Sequence, residues 1–332
     1  KIRFQKQIFI CLNCHKHFSF KTPTKILSNK IFKDSLEGRS SMRTIGRRKH
    51  LSKNTVSKVV TNTAKEVKGS IWVAKNLKPN WGHVLGIDGK LIRVFNPGAK
   101  DYVGTRAEKQ YQLKKSWIVG VDVLTKDLPN YRVFDGEGKI DLYDFFKTLK
   151  DDIGYDLKVL ICDGVPETTT AVRMVYGNIG IQLCVRHFIE MLKVYLRQEK
   201  KADTAETERL ILNIWSALGL QRENDCFDAL KILTKNPKTR CQKLIVKSLE
   251  RHIYQLTAHF RFSEQYFVPR YNNDIENLFK QVSLRLKSWN IFRSRQSADN
   301  YLKAWALSRR FTKFTDCRGH INRLKNGKAP LQ

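Results

Sequence analysis

Three acidic residues, far apart in the chain, stand in surroundings where carboxylates are uncommon. Asp88 interrupts an apolar run from His83 to Phe95, within Gly86-Ile87-Asp88-Gly89-Lys90. Asp163 closes a second run in Ile161-Cys162-Asp163-Gly164, and Glu276 opens a helical pattern in Asn272-Asn273-Asp274-Ile275-Glu276-Asn277. A carboxylate on a central strand, one at the end of the adjacent strand and one on a packed helix would converge at one edge of a sheet. Such a set suits two magnesium ions, or manganese, because these hard cations take oxygen ligands and keep waters and substrate phosphates in their shell. Cations so held neutralise a phosphodiester and activate a water or hydroxyl in line with the leaving oxygen. Each acid also has a plainer reading. Asp-Gly is a common turn at both Asp88 and Asp163, and Glu276, three residues after Asn273, could complete a helix cap. Asp101, Asp122 and Asp127 are other acids near the same runs and are assigned to turns or solvent.

The balance of charge points to a polyanion as partner. The 332 residues carry 62 Lys and Arg against 31 Asp and Glu, a formal net charge of +31. A compact chain this basic repels itself unless a polyanion relieves it, and nucleic acid is the commonest such partner. A membrane surface is the rival, but no apolar run approaches the ~18 residues of a spanning helix and no signal peptide is visible. The expectation is a soluble intracellular protein, cytoplasmic and nucleoid-associated if the source is prokaryotic. Seven cysteines, an odd number scattered through apolar patterns, make no disulfide framework.

The elements that must position the acids follow from hydrophobic periodicity. His83–Phe95, Ser116–Leu124 and Tyr131–Phe134 read as strands, and Asp141–Ile153 as a helix with Leu142, Phe145, Phe146 and Leu149 on one face. Leu157–Cys162 is a short, continuously apolar strand. A helix begins at Pro166, where a first turn tolerates proline, and Ile179–Val185 is a fifth strand. Three strands, helix, strand, helix, strand is the order of the RNase H-like fold, an α/β mixed sheet with helices on both faces. Residues 197–270 are helical in composition and read as an all-helical insertion. Asn273–Lys287 and Ser297–Phe311 are two further helices. Residues 66–81, which show no clear period, are taken as a linker, 82–311 as the catalytic domain, and 312–332 as a basic, poorly ordered tail.

The N-terminal segment carries two smaller modules. In residues 1–22, Cys11 and Cys14 have ligand spacing, with His15 and His17 close by, and resemble the second knuckle of a zinc ribbon whose first cysteine pair would lie before Lys1. Two unliganded thiols in a β-turn fit the same spacing. Residues 23–65 read as three helices, the last capped by Ser52, with Lys53, Asn54, Thr55, Ser57 and Lys58 outward. That is the helix-turn-helix pattern, in which exposed residues at the start of the last helix enter a major groove. A plain three-helix bundle with a solvated basic face is the alternative. Further phosphate contacts are expected from Lys100, Arg106, Lys109, Lys114 and Lys115 in the loop after the first strand. The others are Lys280, Arg285 and Lys287 beside Glu276, continuing to Arg293 and Arg295 with Trp289 and Phe292 between them.

Taken in order, Gly86-Ile87-Asp88-Gly89, Cys162-Asp163-Gly164, Cys184-Val185-Arg186-His187 and Asn273-Asp274-Ile275-Glu276-Asn277 followed by a basic helix resemble the DDE transposases of insertion sequences and Mutator-like elements, over roughly residues 40–310. The resemblance implies that Asp88, Asp163 and Glu276 coordinate the catalytic metals. It also implies that Cys184 and His187 are the Cys-x-x-His pair such enzymes carry after the fifth strand; because two ligands do not close a zinc site, a structural or DNA-positioning role is favoured over metal binding, with a buried thiol and a satisfied histidine as the plainer reading. Cleavage at transposon ends and strand transfer into target DNA would follow, with double-stranded DNA as partner, both terminal inverted repeats and target, and a homo-oligomer to hold two ends. The missing first half of the ribbon is the one departure. A nuclease or resolvase of the same fold that hydrolyses without joining, and a domesticated DNA-binding protein without catalysis, share most of these features.

Overall fold

The computed structural model describes residues 5–10, 17–22, 25–37, 40–96, 112–198, 203–286, 291–315, 317 and 324–331. Cys11, Cys14, His15, Lys100, Asp101, Arg106, Lys109, Lys287 and Trp289 lie outside the described residues, and so do the ribbon and loop contacts read onto them.

Among the described residues, β1 (Gln5–Ile10) and β2 (His17–Thr22) form an antiparallel hairpin. The other strands are β3 (Val84–Phe95), β4 (Gln112–Asp122), β5 (Tyr131–Phe134), β6 (Val159–Cys162) and β7 (Gly180–Leu183). They make one five-stranded mixed sheet in the order β5-β4-β3-β6-β7. β3, β6 and β7 run parallel, while β4 and β5 are antiparallel. Parallel neighbours need crossover connections, and the chain supplies helices between them. All four residues of β6 are buried, as expected of a strand covered on both faces.

The chain divides into two compact units that are not consecutive in sequence. The first comprises residues 1–69, 92–114 and 280–312. Its helices α1 (Lys25–Glu37), α2 (Met42–Lys49) and α3 (Lys53–Glu66) start where the sequence signals them. Ser41 Oγ accepts from Thr44 N (3.2 Å) and Ser52 Oγ from Thr55 N (3.0 Å), so each serine satisfies an orphan donor of the first turn. Val56, Val60 and Ala64 form the buried stripe of α3. The last described helix, α13 (Arg295–Phe311), packs on α1 and α3, and Tyr301 donates to Ser35 O (2.8 Å).

The second unit comprises residues 70–91, 115–279 and 313–332. Where a linker is expected, Ser70–Leu77 forms helix α4, whose two turns are too short to show a period. α5 (Lys139–Lys147), extended by a π-helical turn at Thr148–Asp152, and α6 (Pro166–Tyr176) cover one cluster of Leu85, Ile87, Phe145, Phe146, Leu149 and Leu160. α7 (Val185–Leu196) then leads into the helical segment: α8 (Thr204–Leu218), α9 (Glu223–Thr234), α10 (Arg240–Leu256) and α11 (Ala258–Phe262). A second cluster, including Phe188, Leu192, Ile211, Ile214, Ile245 and Leu249, joins these helices to α7. α12 (Asn273–Leu286) follows. After Thr312 the described residues make hydrogen bonds to one another and to the turn after β4. Phe314 N donates to Lys328 O (2.9 Å), and Lys325 Nζ reaches Leu124 O (2.8 Å).

Two acids assigned to turns or solvent are fully buried. Asp122 accepts from Thr125 N and Oγ1 (both 2.7 Å) and from Tyr155 Oη (2.6 Å), and Asp127 accepts from Trp81 Nε1 (2.7 Å). The Thr125 bonds are those of a turn, as the sequence suggests; the burial comes from Tyr155 and Trp81, 33 and 46 residues away, which local patterns do not report. Among the described residues, no helix is long and apolar enough to cross a membrane.

Candidate active site

The parallel register of β3 and β6 brings two of the acids together. Gly86 pairs with Ile161, so Asp88 and Asp163, each two residues further on, fall side by side on one face of the sheet. They share a recess of about 30 Å³ with Glu137, Val165 and Thr168. Asp88 Oδ1 accepts from Gly89 N (2.7 Å), and Asp163 Oδ1 accepts from Val165 N (3.2 Å), so both acids also serve as turn acceptors. Burial pushes Asp88 up from 3.8 to about 6; the Gly89 amide and the nearby His187 pull the other way, and the charges of Asp163 and Glu137 add to the rise.

The glycines on either side of Asp88 have steric reasons. A Cβ on Gly86 would run into Oδ1 of Asn272, and one on Gly89 would overlap the carboxylate of Glu137. Glu137, read from the sequence only as part of the Gly136-Glu137-Gly138 turn, is thus a neighbour of Asp88, and it accepts a short hydrogen bond from Ser116 Oγ. No periodic signal could have placed it there. It enters the recess because the turn after β5 lies beside β3's neighbour β4.

Asn272 ties α12 to this edge. It is 4% exposed; its Nδ2 donates to Ile87 O (3.0 Å), and its backbone N–H reaches Cys184 Sγ (3.4 Å). Ile275 packs near Gly86, and Glu276 lies one turn into the helix on the same side. Its carboxylate is held by Arg186, Nη1 to Oε2 at 2.6 Å, and Glu276 is absent from the recess that holds Asp88 and Asp163. Asp274 pairs with Lys126 at 2.5 Å.

Cys184 and His187 occupy the N-cap and third position of α7, the spacing at which a cap side chain and a first-turn side chain face each other. Each member is shifted toward its charged form. The thiol raises His187 to about 9 against the effect of burial, and the Asp88 and Asp163 carboxylates add to it. Burial opposes ionisation of Cys184, but the hydrogen bonds of His187 and the Asn272 amide outweigh it and lower its pKa. A cation is therefore held beside the two acids. Lys90, lowered by burial and raised in part by Asp88, adds a second, its Nζ 5.4 Å from the centre of the Phe279 ring.

Among the described residues, no three His, Cys, Asp or Glu side chains are gathered closely enough to hold a metal ion. The donor set at the recess still fits a hard divalent cation. Asp88, Asp163 and Glu137 offer oxygen donors there; Asp88 is raised first by burial and only secondarily by the other two carboxylates, both of which a bound cation would offset, and the soft sulfur nearby already accepts a backbone N–H.

The basic residues read as DNA contacts divide by location. Lys53, Asn54, Lys58 and Lys280 are exposed and Ser57 is half-buried, but the Thr55 hydroxyl is engaged with Ser52 Oγ (2.9 Å). Lys114 and Arg293 are exposed. Arg285 is turned inward, Nε donating to Leu36 O (3.1 Å), and Phe292 is 4% exposed against Tyr301, so neither faces outward as the sequence suggests. Both lie on amphipathic patterns whose buried side was set by α1 and α13. Lys115 pairs with Asp135 at 2.8 Å.

No curated protein matches the chain. Residues 39–311, from the start of α2 through both acids at the sheet edge and Glu276 to the end of α13, match the family described as Transposase, Mutator family. The chain belongs to the Mutator family of transposases.

Proposed function

We propose that the chain is a DDE-type transposase with an RNase H-like catalytic domain, which cleaves the phosphodiester at transposon ends and joins the freed 3′ hydroxyl to target DNA. The observation that carries this reading is that Asp88 and Asp163 share one recess just past the parallel-paired stretch of β3 and β6, the side on which open α/β sheets bind ligands. Asp88 and Asp163 would hold Mg²⁺ or Mn²⁺, with Glu276 completing the set once Arg186 lets go. When bound, such ions neutralise the phosphate and lower the pKa of a water.

The chain's own residues do the rest. Asn272 fixes the start of α12 against Ile87 O, which sets where Glu276 can reach. Protonated His187 keeps positive charge beside the acids, where the phosphate's own charge must be accommodated. Arg186, half-exposed, is free to turn from Glu276 to a phosphate oxygen, a pairing the guanidinium fork suits. DNA is the substrate and partner, and two ends held together require a homo-oligomer. Zinc in the N-terminal ribbon belongs to the same reading through Cys11 and Cys14.

The test is magnesium-dependent cleavage and joining of a DNA fragment carrying the element's terminal repeat. Asp88→Ala, Asp163→Ala and Glu276→Gln should each abolish both steps while DNA binding persists. Cleavage without joining would replace this reading with a nuclease, and binding without cleavage in magnesium or manganese would mean that catalysis has been lost.

A further inference from the structure

The first unit contains a cleft that the catalytic reading does not use. It has a volume of about 660 Å³ and is walled by three segments distant in sequence: 41–43 at the start of α2, the face of α3 from Lys53 to Ala64, and 291–301 leading into α13. Arg43, Lys53, Lys58 and Arg293 line it, and among the described residues no acidic residue does. All four cations are exposed, and none forms an ion pair among the described residues. Ser57 and Thr61 add hydroxyls and the buried Asn300 an amide, while the Ser297 hydroxyl donates to Ser294 O (2.7 Å) in the cap of α13.

The lining favours one part of a nucleic acid over another. Its aromatic residues are not stacking platforms, since Phe292 and Tyr301 are 4% and 1% exposed and the Tyr301 hydroxyl is committed to Ser35 O. What remains is cations and small hydrogen-bond donors, the chemistry that meets phosphate oxygens and carries no base information. The cleft also sits on the α3 face that a helix-turn-helix reading would send bare into a major groove. Here that face is half of a wall whose other half comes from the far end of the chain.

We infer that this cleft is a clasp for the DNA sugar-phosphate backbone, in which α3 and the segment preceding α13 grip one strand from two sides independently of sequence. The inference rests on the DNA-binding part of the proposed function; it adds Arg43 and joins Arg293 with Lys53 and Lys58 in one site.

The experiment is fluorescence anisotropy of the full chain in EDTA, against a duplex carrying the terminal repeat and a duplex of shuffled sequence, over a series of salt concentrations. The variants are Lys58→Gln with Arg293→Gln, and the charge-preserving Lys58→Arg with Arg293→Lys, each checked for fold by circular dichroism and melting. The clasp requires the neutral pair to weaken binding to both duplexes alike, by about fivefold or more at moderate salt, and to reduce the slope of log K against log salt by about 2. The charge-preserving pair should bind nearly as the parent does. Unchanged binding by the neutral variant would overturn the clasp, and so would a loss confined to the terminal repeat, which would make α3 a reader of bases. A parent chain that binds neither duplex would overturn the DNA-binding reading and the clasp with it.

Discussion

The carboxylate of Glu276 is held by the guanidinium of Arg186, at 2.6 Å across 90 residues of sequence. Arg186 lies one residue from His187, which senses the charges of Asp88 and Asp163, so the third acid is parked beside the site by a residue that also borders it. Half-exposed ion pairs of this kind are worth about 1 kcal/mol or less, enough to bias a carboxylate but not to lock it. Replacing Arg186 by Gln should therefore lower the Mg²⁺ concentration that half-saturates thermal stabilisation, by up to about fivefold. A melting series against magnesium measures it, and an unchanged midpoint would mean that Arg186 does not compete with the metal.

Asp88 gives the metal-free protein a pH dependence of definite sign. Its pKa rises from 3.8 to about 6 on folding, chiefly through burial, so the folded state binds the proton more tightly than the unfolded chain does. Stability is then greatest below the unfolded value and is lost as pH rises toward 6, by no more than about 3 kcal/mol. Asp88→Asn should flatten melting temperature across that window and raise it above pH 6. Added magnesium should offset the loss in the parent but not in the variant.

The contact between Asn272 and Ile87 O is a buried hydrogen bond between the helix carrying Glu276 and the strand carrying Asp88. Asn272→Ala leaves that carbonyl unsatisfied and should cost about 1–3 kcal/mol in denaturant unfolding. Catalysis should fall further than stability predicts, because Glu276 loses its anchor. Gly86→Ala, which pushes a methyl group against the same Asn272 side chain, should do likewise. If both variants unfold at the parent midpoint, the anchor is unimportant.

His187 owes its raised pKa first to Cys184. In Cys184→Ala the imidazole should titrate well below about 9, toward the ordinary histidine range, which proton NMR of the ring can follow. His187 contributes stability that is complete below the unfolded histidine value and is lost as pH rises through about 9, so the alkaline edge of the melting profile should move down with the substitution. An unshifted imidazole would show that the acids alone hold its proton.

Local patterns made much of the fold readable in the chain itself. The serine caps of α2 and α3, the continuous apolar run of β6 and the helix opening at Pro166 depend on neighbours within a few residues, and periodicity reports such neighbours directly. Asp88 and Asp163 were legible for the same reason, Asp88 interrupting one apolar run and Asp163 closing another. Their adjacency followed once β3 and β6 were parallel and in register. α4 escaped notice because two turns are too few to set a period.

What decided the rest was long-range contact, to which a residue's type and its neighbours in sequence are blind. Glu137 enters the recess from a turn, Asn272 meets a strand 185 residues away, Arg186 takes the carboxylate of Glu276, and Arg285 turns inward to a carbonyl of α1. The sequence determined which groups were available and, through strand ends and helix starts, the edge at which the acids would stand. Only the tertiary structure decided which partner each group took, because hydrogen bonds and ion pairs act over about 3–4 Å whatever the separation along the chain.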